Sequence, residues 1–196
     1  MARAAIHGSS WPVPEPPPRS FGLASWRDVD LVVVEFRAPE VPDARGDGFL
    51  TFGSVPVHEG RVSLAGAIAG EASCETGGWH AGQAGDTLHA ALQGRYVAGW
   101  SGASTAAGLD RLFGGGRSAW LRRTVDVHRL VALLGRRSRA PDPGRNDLAR
   151  TARAFKVPDQ PPADALDAAV MVAELLLITA TTLEARGRGT LRDLVS

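Results

Sequence analysis

The sequence predicts an α/β fold in which a mixed central sheet is flanked by helices. Residues 31–36 form a short apolar, β-branched run, typical of a strand buried on both faces. Residues 49–57 and 61–64 have the pattern of two strands joined by a turn at 58–60. Beyond them, helical patterns alternate with short apolar strands. Strands first paired as hairpins and then separated by helices indicate helices on both sides of one sheet.

The composition is that of a soluble globular protein. The chain has 196 residues, enough for one domain with a substantial core. Its net charge is +1, whereas non-specific nucleic-acid binders carry a larger positive excess, so any polyanion contact must come from a local patch. A single cysteine, Cys74, excludes an intramolecular disulfide and a cysteine-based zinc cluster. The longest apolar stretch, near residues 175–183, is shorter than the roughly 20 residues of a membrane span. We therefore expect a cytoplasmic protein.

The N-terminal part differs from the rest in composition. Five prolines lie between residues 12 and 18, with few apolar neighbours. Proline lacks a backbone donor, and such a segment has little surface to bury. We expect residues 1–27 to form a flexible tail, with a PxxP-type ligand as the alternative, and residues 28–196 to form the domain.

The remaining elements follow from periodicity, caps and breakers. Residues 31–36 are predicted to be a central strand paired with the strand at 49–57, where Pro56 indicates an edge position or a bulge. A Gly-rich loop is predicted at 71–86, followed by a helix at 87–93, a strand at 95–98 and a helix at 104–113. A strand then leads into a helix over 124–134, with Asp126 at the junction, and a basic loop follows at 136–145. The last predicted elements are a helix to 155 capped by Asn146 or Asp147, a helix at 163–185 and a final turn capped by Thr190.

Four segments resemble, in the right order, three motifs and one strand-and-turn landmark of one enzyme family. Residues 32–40 occupy the place of an apolar strand carrying Asp-x-Glu, and residues 49–62 look like the strand and turn that follow it. Residues 94–104 match the lead-in of a second motif, and residues 163–175 are similar to a third, His-x-Ala-x-x-Asp-Ala. The chain thus resembles the DEDD-type (DEDDh) 3′–5′ exonucleases, the family of the DNA polymerase III epsilon subunit, over about residues 28–195.

The resemblance implies a ribonuclease-H-like fold and a site for two-metal hydrolysis, in which four carboxylates hold Mg²⁺ or Mn²⁺ and a His activates water. Carried over position by position, the site becomes Glu35, Arg37, Ser104, Ala163 and Ala168. One carboxylate of four remains, a permanent cation stands where a metal would bind, and the base is absent. We expect no metal and no other cofactor, and predict an inactive pseudo-exonuclease retained to bind nucleic acid, a nucleotide or a protein.

Two alternatives remain open. A divergent active exonuclease would use Glu35, Asp110 and Asp167 with Mg²⁺ or Mn²⁺. A structural docking subunit or a homodimer would use the apolar helix at 163–185. In every version the first and third motifs must meet, so that helix has to pass the C-terminal end of the strand at 31–36.

A basic cluster is the candidate nucleic-acid contact. It consists of Arg122, Arg123, Arg136 and Arg137, with Trp120 nearby. Arginines interleaved with an aromatic residue are the side chains that single-strand channels use. The alternative interpretation is a solvated charged face.

Overall fold

The structure is a computed structural model that describes residues 12–18, 23–37, 49–75, 78–134, 145–157 and 161–195. Seven strands form one mixed sheet in the order β5-β4-β2-β1-β6-β7, with β3 pairing β2. The strands are β1 (Leu31–Arg37), β2 (Phe49–His58), β3 (Arg61–Val62), β4 (Ile68–Glu75), β5 (Gly78–His80), β6 (Tyr96–Gly99) and β7 (Thr124–Asp126). The mixed α/β class is thereby confirmed.

Strand β1 lies in the middle of the sheet, as predicted. It pairs antiparallel with β2 over its whole length and parallel with β6, which in turn runs parallel with β7. Leu31 and Val33 enter one core cluster, whereas Val32 and Val34 enter the other. Since successive side chains of a strand point to opposite faces, a β-branched run without polar alternation requires cover on both sides.

The strand that follows the first hairpin is interrupted. After a turn at Glu59 and Gly60, both with positive φ, β3 gives way to a 3₁₀ turn at Leu64–Gly66 before β4 begins. The interruption lies opposite Pro56, which has no N–H to donate to a neighbouring strand on that side. Ser63 N–H nevertheless donates to the Pro56 carbonyl at 2.9 Å, so the chain stays attached there.

The predicted loop at 71–86 is wrong. That stretch contains β4, β5 and the first turn of a helix. The residues of β4 are mostly small, so the segment has weak intrinsic strand propensity, and its structure comes from pairing with β2. Gly70 shows how closely β4 packs against β2, since a Cβ at this residue would lie 2.4 Å from the Phe52 ring.

The helices cover both faces of the sheet. They are α1 (Gly82–Leu92), α2 (Gly102–Phe113), α3 (Arg117–Leu121), α4 (Val127–Leu134), α5 (Arg145–Ala154), α6 (Ala165–Glu184) and α7 (Leu191–Val195). Residues of α1, α2 and α3 pack in one cluster, and those of α4 to α7 in the other. The predicted helices at 104–113, 163–185 and after Thr190, and the strand-to-helix junction at Asp126, are confirmed.

Helix α6 is the long apolar helix of the core. By length and composition it passes as a membrane span, but 56% of its most apolar window is buried inside the domain. Within the described residues it is the one helix of this kind. Leu177 and Ile178 are half-buried against the same cluster, so enclosure within one chain covers most of the helix. A subunit contact through it stays a prediction.

Residues assigned to the N-terminal tail make contacts with the domain. Trp26 is 1% exposed and belongs to the core, and its backbone N–H donates to the Gly189 carbonyl at 3.1 Å. Ser25 forms an antiparallel bridge with Thr190. Residues 12–18 also lie against the domain, beside α1 and α3.

Candidate functional site

The candidate site lies at one edge of the sheet, where the parallel strands β1, β6 and β7 end. In open α/β sheets, ligands bind outside the carboxyl ends of such strands. Glu35 lies near the end of β1, Trp100 directly follows β6, and Asp126 is the last residue of β7. The topology therefore gathers three residues that are far apart in the chain.

Glu35 is held by the backbone of the neighbouring strand. Its Oε1 accepts a hydrogen bond of 2.5 Å from the Trp100 N–H. Burial raises the pKa of this carboxyl to about 7. The hydrogen bond from the Trp100 N–H and the positive charge of Arg37 lower the pKa, and the negative charge of Asp126 raises it slightly, but burial has the largest effect. Glu35 is thus a much weaker acid than an exposed glutamate, because burial favours its neutral form.

Arg37 joins the end of β1 to the segment that leads into α6. Its guanidinium donates from NH1 to the Ala163 carbonyl at 2.9 Å and from NH2 to the Pro162 carbonyl at 2.7 Å. A planar guanidinium presents several donors in a fixed fork, which suits two adjacent carbonyls. Arg37 therefore ties the end of β1 to the residues that precede α6, a contact here called the Arg37 latch.

Gly53 brings α6 close to the sheet at the level of Glu35. The two residues are partners in the β1–β2 register. A Cβ on Gly53 would lie 2.3 Å from the Leu166 backbone nitrogen, a distance no real contact allows, so only glycine permits this approach. Together with the Arg37 latch, this supports the prediction that the first and third motif segments meet.

Asp126 organises the backbone around the site. Its Oδ2 accepts from the Gly102 N–H and its Oδ1 from the Arg129 N–H, both at 2.9 Å. It therefore bonds the start of α2 and the start of α4 at once, as a carboxylate at a helix N-terminus does. His128 packs edge-on against Trp100 with ring centroids 5.0 Å apart. The sequence marks Asp126 only as the residue between an apolar strand and a helix.

The substituted motif positions have ordinary structural environments. Ser104 is exposed in the first turn of α2, with its Oγ 3.3 Å from the Ser101 Oγ. Ala163 is exposed ahead of α6, whereas Ala168 is 4% exposed and packs in the core. None of these three side chains supplies a metal ligand or a general base.

The carboxylates of the active alternative are engaged elsewhere. Asp110 Oδ1 accepts from the Gly116 N–H at 2.8 Å, at the opposite end of α2 from Gly102. Asp167 Oδ2 accepts from the Ala163 N–H at 3.0 Å within the N-terminal cap of α6, where Asp164 caps Asp167 in return. Among the described residues, no group of three or more His, Cys, Asp or Glu side chains is arranged to hold a metal ion.

The four arginines proposed to contact nucleic acid have different surroundings. Arg122 is exposed at the end of α3. Arg123 is 6% exposed, and its guanidinium lies over the Trp120 ring at 4.0 Å and bonds to backbone carbonyls of residues 14 and 15. Arg136 and Arg137 lie outside the described residues. Sequence position alone does not distinguish Arg122 from Arg123, because their burial depends on the N-terminal segment.

Comparisons with protein-family models, with curated proteins and with solved structures found no match to this chain. The class that the structure defines is thus an α/β domain with a mixed seven-stranded sheet and a carboxylate–guanidinium site at its carboxyl edge.

Proposed function

We propose that this chain is a 3′–5′ exonuclease-like domain of ribonuclease-H-like fold that has lost nuclease activity and acts by binding. The observation that carries the proposal is the Arg37 latch. In it, a guanidinium of the first motif segment donates to the carbonyls of residues 162 and 163, at the start of the third motif segment. A fixed guanidinium there repels the divalent ions that two-metal hydrolysis needs.

The architecture supports the family assignment. Five strands, β1 to β5, come first and pair antiparallel, and helices alternating with the two short strands β6 and β7 follow, an order compatible with the ribonuclease-H-like fold. The first motif segment contacts the second through the Glu35–Trp100 hydrogen bond and the third through the hydrogen bond from Arg37 to the Ala163 carbonyl. A resemblance read from three separate segments requires this convergence.

The chemistry of the site supports loss of hydrolysis. Mg²⁺ and Mn²⁺ are bound through several oxygen ligands, and Glu35 is the one carboxylate kept at a motif position. A pKa of about 7 means that even this ligand is half neutral at pH 7, before any competition from a metal. The alternative set with Asp110 and Asp167 requires both to give up backbone hydrogen bonds.

For the ligand, we propose a single-stranded nucleic acid or a nucleotide in the cytoplasm, contacted through Arg122, Arg136 and Arg137 of the predicted set, since Arg123 is buried. Exposed arginine near the end of a sheet adds a favourable, salt-dependent charge interaction with phosphates. A protein partner or a homodimer through α6 is the other form of the binding role.

The nuclease half of the proposal is tested with end-labelled single-stranded DNA and RNA, incubated with the whole chain in Mg²⁺ and in Mn²⁺. We expect no cleavage, and no difference between wild type and Glu35→Gln. Cleavage by the wild type that Glu35→Gln abolishes would overturn the proposal and restore the active alternative. Because Ala168 is in the core, a variant with carboxylates restored should first carry only Arg37→Glu, Ser104→Asp and Ala163→His, with Ala168→Asp added last.

The binding half is tested by fluorescence anisotropy of a labelled oligonucleotide at increasing salt. We expect affinity that falls with salt and with Arg122→Ala but is unchanged by Arg188→Ala, a substitution of another exposed arginine beyond α6. Equal binding by both variants, or no binding at low salt, would refute nucleic-acid binding through Arg122.

A further inference from the structure

Residues 12–18, here called the proline segment, lie along the outside of the domain with their main chain bonded to it. The Glu15 N–H donates to Gln93 Oε1 at 2.8 Å, and the Gly94 N–H donates to the Glu15 carbonyl at 3.0 Å. His89 Nε2 lies 2.8 Å from the Pro12 carbonyl oxygen. The segment forms no regular helix or strand, so its carbonyls are free to accept hydrogen bonds from the domain.

The burial pattern of the proline segment has a period of three. Pro14 and Pro17 are buried, whereas residues 12, 13, 15, 16 and 18 are exposed. A polyproline II helix has three residues per turn, so residues three apart share one face. The two buried prolines thus form the contact face of a P-x-x-P unit.

Arg123, which stacks on the buried Trp120 ring, supplies the other side of this contact. Arg123 NH1 donates to the Pro14 carbonyl at 3.2 Å and to the Glu15 carbonyl at 3.0 Å. Its guanidinium lies over the Trp120 ring, with Cζ 4.0 Å from the ring centroid. A polyproline II helix has no internal hydrogen bonds, so its outward-facing carbonyls accept from side-chain donors such as this guanidinium.

We propose that the proline groove, formed by His89, Gln93, Gly94 and Arg123, is a recognition site for a polyproline II segment of a partner protein. The proline segment of this chain occupies the groove when that partner is absent. The groove lies at the amino ends of β6 and β7, whereas the candidate site lies at their carboxyl ends. A bound peptide therefore leaves the candidate site accessible.

The proline segment does not satisfy all the hydrogen-bond donors of the groove. Arg123 Nε and NH2 are buried and have no hydrogen-bond partner among the described residues. A buried charged donor without an acceptor weakens the contact that covers it. A partner peptide that carries P-x-x-P and also places a carbonyl or carboxylate oxygen beside these two nitrogens satisfies them, and thereby displaces the proline segment.

The test uses the full chain and a fluorescent peptide, Pro-Val-Pro-Glu-Pro-Pro-Pro, with the sequence of residues 12–18. The tethered segment competes at roughly millimolar effective concentration, so wild type should bind the free peptide weakly. Pro14→Ala/Pro17→Ala should bind it about tenfold more tightly or better, because its own segment is a poorer competitor. The matched control, Pro16→Ala/Pro18→Ala, removes two exposed prolines and should behave as wild type.

A second peptide keeps the test independent of protein folding. The same peptide with alanine at the positions of Pro14 and Pro17 should not bind any variant. Equal binding of both peptides, or no binding by Pro14→Ala/Pro17→Ala at a wild-type thermal midpoint, would overturn the proposal. A concentration-dependent dimer in sedimentation, lost in that variant, would also overturn it, since the occupant would then be the proline segment of a second copy.

Discussion

Replacing Glu35 by glutamine should make the domain more stable above neutral pH. Burial raises the pKa of Glu35 from its ordinary 4.5 to about 7, against the opposing effects of the Trp100 N–H and Arg37. Burial therefore outweighs both favourable contacts, and the ionised form is less stable in the folded protein than in water. Glutamine has nearly the same shape, keeps an oxygen acceptor for the Trp100 N–H and never ionises.

The sign and size follow from linkage. Between pH 4.5 and 7 the folded chain holds a proton on Glu35 that the unfolded chain has released, so the free energy of unfolding falls as pH rises. The stability contributed by the protonated acid is complete below about pH 4.5 and lost once pH passes about 7. A shift from 4.5 to about 7 corresponds to about 3 kcal/mol, since each pKa unit is worth about 1.4 kcal/mol.

The measurement is urea unfolding of wild type and Glu35→Gln at several pH values between about 4.5 and 8.5, a window set by the shift. Comparing the two proteins at each pH cancels the titration of distant groups. We expect the variant to gain about 1–3 kcal/mol on wild type across this window. Glu71→Gln, at an exposed residue of β4, is the matched control for loss of a surface carboxyl. A difference between wild type and Glu35→Gln that does not change with pH would refute the reasoning.

Three further predictions concern the latch, the close approach and the opposite end of the sheet. Arg37→Met should lower the free energy of unfolding by about 1–3 kcal/mol in urea, because two carbonyls ahead of α6 lose their donor; an unchanged midpoint would contradict the latch. Gly53→Ala should lower the free energy of unfolding by at least about 3 kcal/mol, because the added Cβ collides with the α6 backbone. A thermal midpoint within a few degrees of wild type would contradict this packing. Asp30 raises the pKa of His58 above 6.5, so Asp30→Asn should return the NMR titration midpoint of His58 towards 6.5, and no shift would show that the pair is not formed in solution.

The central strand and the main helices could be predicted because their signals are local. The apolar run of β1 has no polar alternation, and this alone requires a position between two layers. The junction at Asp126 carries a strand ending, a capping carboxylate and a helix start in consecutive residues. By contrast, β4 consists of small residues whose strand conformation is imposed by β2, so no local pattern marks it.

The site could be predicted only in part, because burial depends on segments distant in sequence. Glu35 was identified from its motif position, but its raised pKa requires knowledge of what covers it. Arg122 and Arg123 are neighbours in a charged run, yet one is exposed and the other lies beneath the proline segment more than a hundred residues away in sequence. The capping of two helices by Asp126 likewise needs the three-dimensional arrangement of β7, α2 and α4.

Glu35 and Arg37 are coupled, and on the proposed exonuclease origin this coupling bears on how activity is lost. A cluster of carboxylates at one edge of a sheet repels itself and depends on bound cations. Here the Arg37 charge lowers the pKa of Glu35, and the same guanidinium holds the segment before α6 without any metal. Restoring a carboxylate at position 37 alone would release α6 and drive Glu35 further towards its neutral form. A change at position 37 alone therefore does not rebuild a metal site, and it costs stability because the bonds ahead of α6 are lost.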